Sequence, residues 1–177
     1  MLEISSKRLV YRILSEDDVT QNYVDWLNDP KVNRYLETRH THQTKKNCLS
    51  YVAEMITSPT NYLFGIYLRE TGKHIGNTKL GFINPYHHRA ELSLFIGEKN
   101  CWGKGFATET IKTITSWGLN DLKLEKIEAG CYDTNIGSLR AFLKAGYQVE
   151  GYLRKNISLD GQRIGSFWLG VLPNDFT

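Results

Sequence analysis

The chain has 177 residues, 41% of them hydrophobic and 12% aromatic, with a net charge of +3. That length suits one domain over residues 1–177, able to bury roughly 70% of its unfolded surface, and the composition excludes disorder. The 22 Lys and Arg are scattered among 19 acids rather than massed, so no nucleic-acid partner is expected. A modest positive bias does suit a small anionic ligand.

No stretch approaches the roughly 18 consecutive apolar residues of a membrane span, and the first residues lack a signal-peptide apolar run. No membrane partner is therefore expected. Cys48, Cys101 and Cys131 lie far apart and fit neither a disulfide framework nor a zinc spacing. A reducing, cytoplasmic location without a bound metal is the expectation. Cys101 reads either as an exposed thiol or as a filler residue, since no flanking base marks it as a nucleophile.

Taken in order, residues 8–12 alternate as a first strand. Ser15 and Asp18 have capping-box spacing, which predicts a helix through Tyr23, Trp26 and Leu27 that ends before Asn28-Asp29-Pro30. A short helix begins at Pro30, and residues 44–56 form a third. Strands at Tyr62–Leu68 and residues 75–83 flank the turn Glu70-Thr71-Gly72-Lys73. After the turn at residues 84–88 comes a strand at 90–96, then a helix over 105–119. A strand Lys126–Tyr132 and a helix Ile136–Lys144, stopped by Gly146, follow. Final strands over 148–158 and 163–171 flank Asp160-Gly161. The pattern is α+β: a meander, then a strand–helix–strand–helix unit.

The chemistry concentrates where Glu91-Leu92-Ser93-Leu94-Phe95-Ile96-Gly97 leads into Asn100-Cys101-Trp102-Gly103-Lys104-Gly105-Phe106-Ala107. Small residues at 103, 105 and 107 let a ligand approach the backbone. The helix N-terminus behind them offers unpaired N–H groups and partial positive charge, which suits a phosphate. A P-loop does not fit, because Lys104 lies between the glycines and no magnesium-binding hydroxyl is in register. A dinucleotide fingerprint fails at Thr108, where its third glycine belongs. A tight turn without a ligand is the remaining plain reading.

The block from Ala90 to Glu109 resembles the central strand and pyrophosphate loop of the GNAT N-acetyltransferases, and most closely their RimJ/RimL-like branch. A second block is similar to the same branch: Asn135-x-x-Ser138-x-x-Ala141-Phe142-x-x-x-Gly146-Tyr147. Arg8-Leu9, Trp26-Leu27-Asn28-Asp29-Pro30, Gly151 and Asp160-Gly161 extend the likeness over nearly the whole chain. The resemblance implies a mixed α/β GNAT fold: a mostly antiparallel twisted sheet of six to seven strands, a splayed central strand pair, and about four flanking helices.

It further implies acetyl-CoA as cosubstrate. Amides of Gly103, Lys104, Gly105, Phe106 and Ala107, with the Thr108 hydroxyl, would hold the pyrophosphate. Asn100 departs from the family's Arg or Gln at the head of that loop and shortens one contact. The strand edge at Leu94, Phe95 and Ile96 would pair with the pantetheine amides, and Asn135 would bond the same arm. Period-two alternation puts Glu91, Ser93 and Phe95 on one face, so Glu91 is the candidate base; a solvated or ion-paired glutamate is its ordinary reading. Phe142 stands where many relatives carry a tyrosine acid, which leaves Ser138 as the group beside the thiolate, as a first-turn helix cap, or as both.

Trp26, Tyr35, Glu37, Arg39 and His40 fall in the region that shapes the acceptor pocket in relatives. Tyr86, His87 and His88 either reach the same cleft or form a surface turn. The expected reaction is direct acetyl transfer to the primary amine of a small molecule, such as a nucleotide-linked amino sugar or a polyamine. A protein N-terminus is the alternative acceptor, and a noncatalytic acyl-CoA sensor the alternative of another class. A homodimer is compatible with either.

Overall fold

A computed structural model describes residues 2–176; Met1 and Thr177 lie outside the described residues. Its strands are β1 (Glu3–Ser5), β2 (Leu9–Ile13), β3 (Tyr62–Leu68), β4 (His74–Asn84), β5 (Arg89–Ile96), β6 (Lys126–Tyr132), β7 (Gln148–Leu159) and β8 (Gln162–Val171). They form one sheet in the order β1-β2-β3-β4-β5-β6-β8-β7. Every neighbouring pair is antiparallel except β5–β6. The helices are α1 (Gln21–Asn28), α2 (Pro30–Asn33), α3 (Lys45–Thr57), α4 (Phe106–Asn120) and α5 (Ile136–Lys144).

The sheet therefore has eight strands rather than six or seven. The extra strand is β1, three residues whose only apolar member is Ile4. So short a segment carries no periodic signal; it is a strand because Glu3 to Ser5 pair with Val10 to Arg12. Among the described residues there are likewise five α-helices rather than about four. Ser15 and Asp18 do meet: the Asp18 carboxylate accepts from Ser15 N at 2.8 Å and Ser15 Oγ at 2.7 Å. They close a single 3-10 turn over Glu16–Asp18, not the start of α1. The chain leaves helical geometry at Val19 and Thr20 because Val19, 2% exposed, is drawn into the core. Asp18 is occupied by Arg12 and by Tyr67 Oη.

Side-chain alternation splits the core into two layers. On one face α1 and α3 bury Tyr23, Val24, Leu27, Cys48, Val52 and Met55 against Leu63 and Phe95. On the other, Ile111, Ile114 and Trp117 of α4 and Phe142 of α5 cover Leu80, Leu92 and Ile127. Phe95 and Leu92 thus lie on opposite faces of β5, as strand period two requires.

The parallel seam is short. Arg89, Ala90 and Glu91 pair with Lys126, Ile127 and Glu128, and pairing stops there. Beyond Glu91, β5 remains paired to β4 and β6 to β8, so the two strands splay. Among the described residues, no helix is long and apolar enough to cross a membrane.

Candidate active site

The splay is bordered by the turn that follows β5. A Cβ at Gly97 would collide with the Trp26 indole, so only glycine fits there. Trp102 then folds back, and its Nε1 donates to Ile96 O at 2.7 Å. Gly103 and Gly105 have φ of +73° and +81°, in the left-handed region where a Cβ costs roughly 1–2 kcal/mol. Space around Gly103 is open, so conformation rather than crowding selects glycine there.

Gly105 is the N-cap of α4. Among the described residues, the amides of residues 103–108 have no protein acceptor. They sit at the positive end of a 15-residue helix. That cradle fits a pyrophosphate. It is held by Arg8, just before β2: Arg8 Nε donates to Glu109 at 2.7 Å, Arg8 Nη1 donates to Lys104 O at 3.0 Å, and the guanidinium lies 4.3 Å from the Phe106 ring centroid. Ser6 Oγ and Arg8 N also donate to Glu109. Burial would raise the Glu109 pKa, but these donors hold it below the usual carboxylate range. The carboxylate in the first turn of α4 is thereby committed to Arg8.

A cleft of about 750 Å³ runs from this loop through the splay. Leu94, Phe95 and Ile96 line it from β5, and Gly103, Gly105, Phe106, Ala107 and Thr108 from the loop. Lys104 is not among its lining residues; its carbonyl is turned to Arg8. Asn135 and Ser138 line it from the start of α5, where Asn135 Oδ1 accepts from Ser138 N at 3.2 Å. The first-turn cap is therefore Asn135, and the Ser138 hydroxyl has no protein partner among the described residues. Phe142, 2% exposed, packs edge-on against Tyr147 beneath the cleft. Cys101 lines the wall but is 7% exposed, and burial pushes its thiol pKa up, so it is the filler residue and not an exposed thiol.

On the face of α1 and α3, Tyr35 lines the cleft and its Oη donates to Thr134 O at 3.2 Å. Its ring meets Tyr132 edge-on at 5.9 Å. Tyr132 closes β6 and also lines the cleft; its Oη donates to Glu37 and accepts from Arg39 Nη1 at 2.8 Å. Burial, then the Glu37 carboxylate, raise its pKa. Glu37 and Arg39 thus reach the cleft wall through Tyr132 and do not line it. Tyr132 was not singled out in the sequence; its position as the last residue of an apolar strand at a splay is the signal that marks it.

Three expected residues lie elsewhere. Trp26 is packed over Gly97 and against His74 and Phe95. His87 sits in the turn between β4 and β5, its amide bonded to Asn84 Oδ1, beside Tyr86, which is 89% exposed. Neither residue lines the cleft. Glu91 is on the same face as Ser93, two residues behind it at the closed end of the splay, and also outside the lining. Burial and then the neighbouring Glu128 carboxylate raise its pKa, against Arg89 and Lys79. Among the described residues, no group of three or more His, Cys, Asp or Glu could hold a metal ion.

The chain is similar to several known proteins. An uncharacterised N-acetyltransferase of Bacillus licheniformis is 26% identical over 178 residues, covering 99% of each chain. A probable N-acetyltransferase of Bacillus subtilis strain 168 is 31% identical over 123 residues, 69% of this chain and 67% of that one. In fold, the chain is similar to the spermidine N-acetyltransferase of Vibrio cholerae in complex with CoA and spermine, with a TM-score of 0.86 at 20% identity, over 96% of this chain and 98% of that one. The family model described as acetyltransferase (GNAT) domain matches residues 8–148, well over half of the chain. The chain belongs to the GNAT family of acetyl-CoA-dependent N-acetyltransferases.

Proposed function

We propose that the protein transfers the acetyl group of acetyl-CoA directly to a primary amine of a small molecule, within a ternary complex. One observation carries this reading: a single cleft joins the amide-lined loop to the hydroxyls of Ser138, Tyr35 and Tyr132. Amides of Gly103, Lys104, Gly105, Phe106, Ala107 and Thr108 hold the pyrophosphate. The pantetheine arm lies along the free edge of β5 at Leu94, Phe95 and Ile96 as an added strand, with Asn135 across from it.

Acetyl-CoA supplies an activated thioester carbonyl. A β5 amide donates to that carbonyl oxygen; one preorganised donor of this kind is worth roughly 10²–10³ in rate. Glu91 receives the ammonium proton by way of solvent at the closed end of the splay, and its raised pKa makes it a better base than an ordinary glutamate. The amine's nitrogen–carbon bond forms, the carbon–sulfur bond breaks, and the second nitrogen proton passes to the departing thiolate, which the Ser138 hydroxyl hydrogen-bonds. The products are an acetamide, CoA thiol and one proton. Tyr35, with Glu37 and Arg39 behind Tyr132, shapes the acceptor end. The acceptor is a polyamine, as in the name of the Vibrio cholerae enzyme, or an amine on a nucleotide-linked sugar, with a protein N-terminus as the alternative.

Incubation with acetyl-CoA and separate pools of amino sugars, polyamines and peptides should release one thiol per acetylated amine from one pool. Gly105→Glu should lose acetyl-CoA binding while keeping the wild-type circular-dichroism spectrum. Tight CoA binding with no thiol release from any pool would favour a noncatalytic acyl-CoA sensor and overturn the proposal.

A further inference from the structure

Resting on that acetyl-transfer reading, we infer that the acceptor is an amine that also carries an anionic group, with Lys31 as its counter-charge. The charged side chains lining the cleft are Lys31, Arg140 and Lys144, all cations. Among the described residues, none of the three is ion-paired. Arg140 and Lys144 belong to α5, on the α4 side that presents the phosphate cradle, so their charge serves the donor. Lys31 stands on α2, which packs with α1 on the other face, beside Tyr35.

The carboxylates nearest Lys31 are already engaged. Asp29 is paired with Lys99, and Asp160 with Arg34 at 2.7 Å. Glu37 accepts from Tyr132 and Arg39, with His40 Nε2 at 3.4 Å. Asp133 accepts from Tyr152 Oη and Gly165 N, each at 2.8 Å. Beside Lys31, which has no carboxylate partner among the described residues, a phosphate or carboxylate on the acceptor would meet the opposite sign, whereas a second ammonium group would meet a like charge. The rest of the acceptor end is aromatic and amide in character, with Tyr35, Tyr132, Trp168 and Asn156, which suits a ring rather than a flexible aliphatic chain.

The test compares glucosamine with glucosamine 6-phosphate, together with an α-amino acid and spermidine, using acetyl-CoA and thiol release. The phosphate and amino-acid arms separate the two sources of anionic charge. Wild-type kcat/KM should favour at least one anionic amine about tenfold or more over glucosamine and over spermidine. Lys31→Glu should erase that preference through the acceptor KM, leaving the acetyl-CoA KM unchanged. The fold is not at risk, since the α2 cap uses the Lys31 backbone N–H on Asp29 Oδ1 at 2.9 Å and not its side chain. Efficient turnover of spermidine with the anionic amines inert overturns this inference and leaves the acetyl-transfer reading standing. An anionic preference that survives in Lys31→Glu overturns the role of Lys31. Thiol release from no amine overturns both.

Discussion

Glu91 and Glu128 are opposite neighbours in the last rung of the β5–β6 seam, and only one of them has a close cation. Arg89 Nη1 lies 2.5 Å from Glu128 Oε2, and Trp168 Nε1 also donates to that carboxylate. Glu128 is held below the usual range despite its burial, whereas burial and Glu128 itself push Glu91 above it. The sign follows directly. A carboxyl whose folded pKa is raised costs nothing while protonated, and destabilises the fold once pH rises past its unfolded value. Glu91→Gln should therefore raise the melting temperature at pH 7, with the gain vanishing below about pH 4. If Glu91 is also the base, the same variant should lower kcat roughly 10²-fold or more and flatten the basic rise of the pH–rate profile. An unchanged profile would assign Glu91 to the sheet alone.

At the scale of elements, α4 joins the donor site to the rest of the fold. Its N-terminal turn is held by Arg8, the residue before β2, which engages Glu109, Lys104 O and the Phe106 ring together. Arg8→Ala should weaken CoA binding about tenfold with little change in secondary structure, as measured by calorimetry and circular dichroism. Equal affinity would show that the glycine backbone is preorganised unaided. This clamp also marks the limit of what could be read from the chain. Gly103 and Gly105 were legible because a left-handed turn is a local demand on two residues. Gly146 was legible because a helix C-cap is local too, whereas the N-terminal cap of α5 fell on Asn135 rather than on Ser138. Arg8 and Glu109 lie 101 positions apart, and no periodicity links them. Tyr132 was hidden for a similar reason: its phenol matters only because the 3-10 turn at Glu37–His40 is brought over the end of β6. His87 shows the converse, a polar residue in a suggestive turn that the β4–β5 connection carries away from the cleft.

At the scale of the whole molecule, five strands lie on one side of the seam and three on the other. Three paired residues per strand join them, while α4 packs against β5 and β6 both. Residues 92–96 of β5 keep one hydrogen-bonding edge turned to the cleft, inside the sheet rather than at its rim. An internal edge of this kind is normally filled by the protein's own chain, since strand amides seek partners. On the proposed reading the partner is the pantetheine arm of acetyl-CoA, a small molecule that comes and goes, and heat resistance would then depend on metabolic supply. Saturation at a hundredfold excess over Kd adds about 2.7 kcal/mol to folding, roughly 5–11 °C at ~2–4 °C per kcal/mol in a chain of this size. Adding CoA should raise the melting temperature accordingly and slow hydrogen exchange at residues 92–96; a melting point indifferent to CoA would refute the coupling. A cell short of acyl donor would then hold this enzyme in its most easily unfolded form, so its abundance as well as its turnover would follow the donor pool.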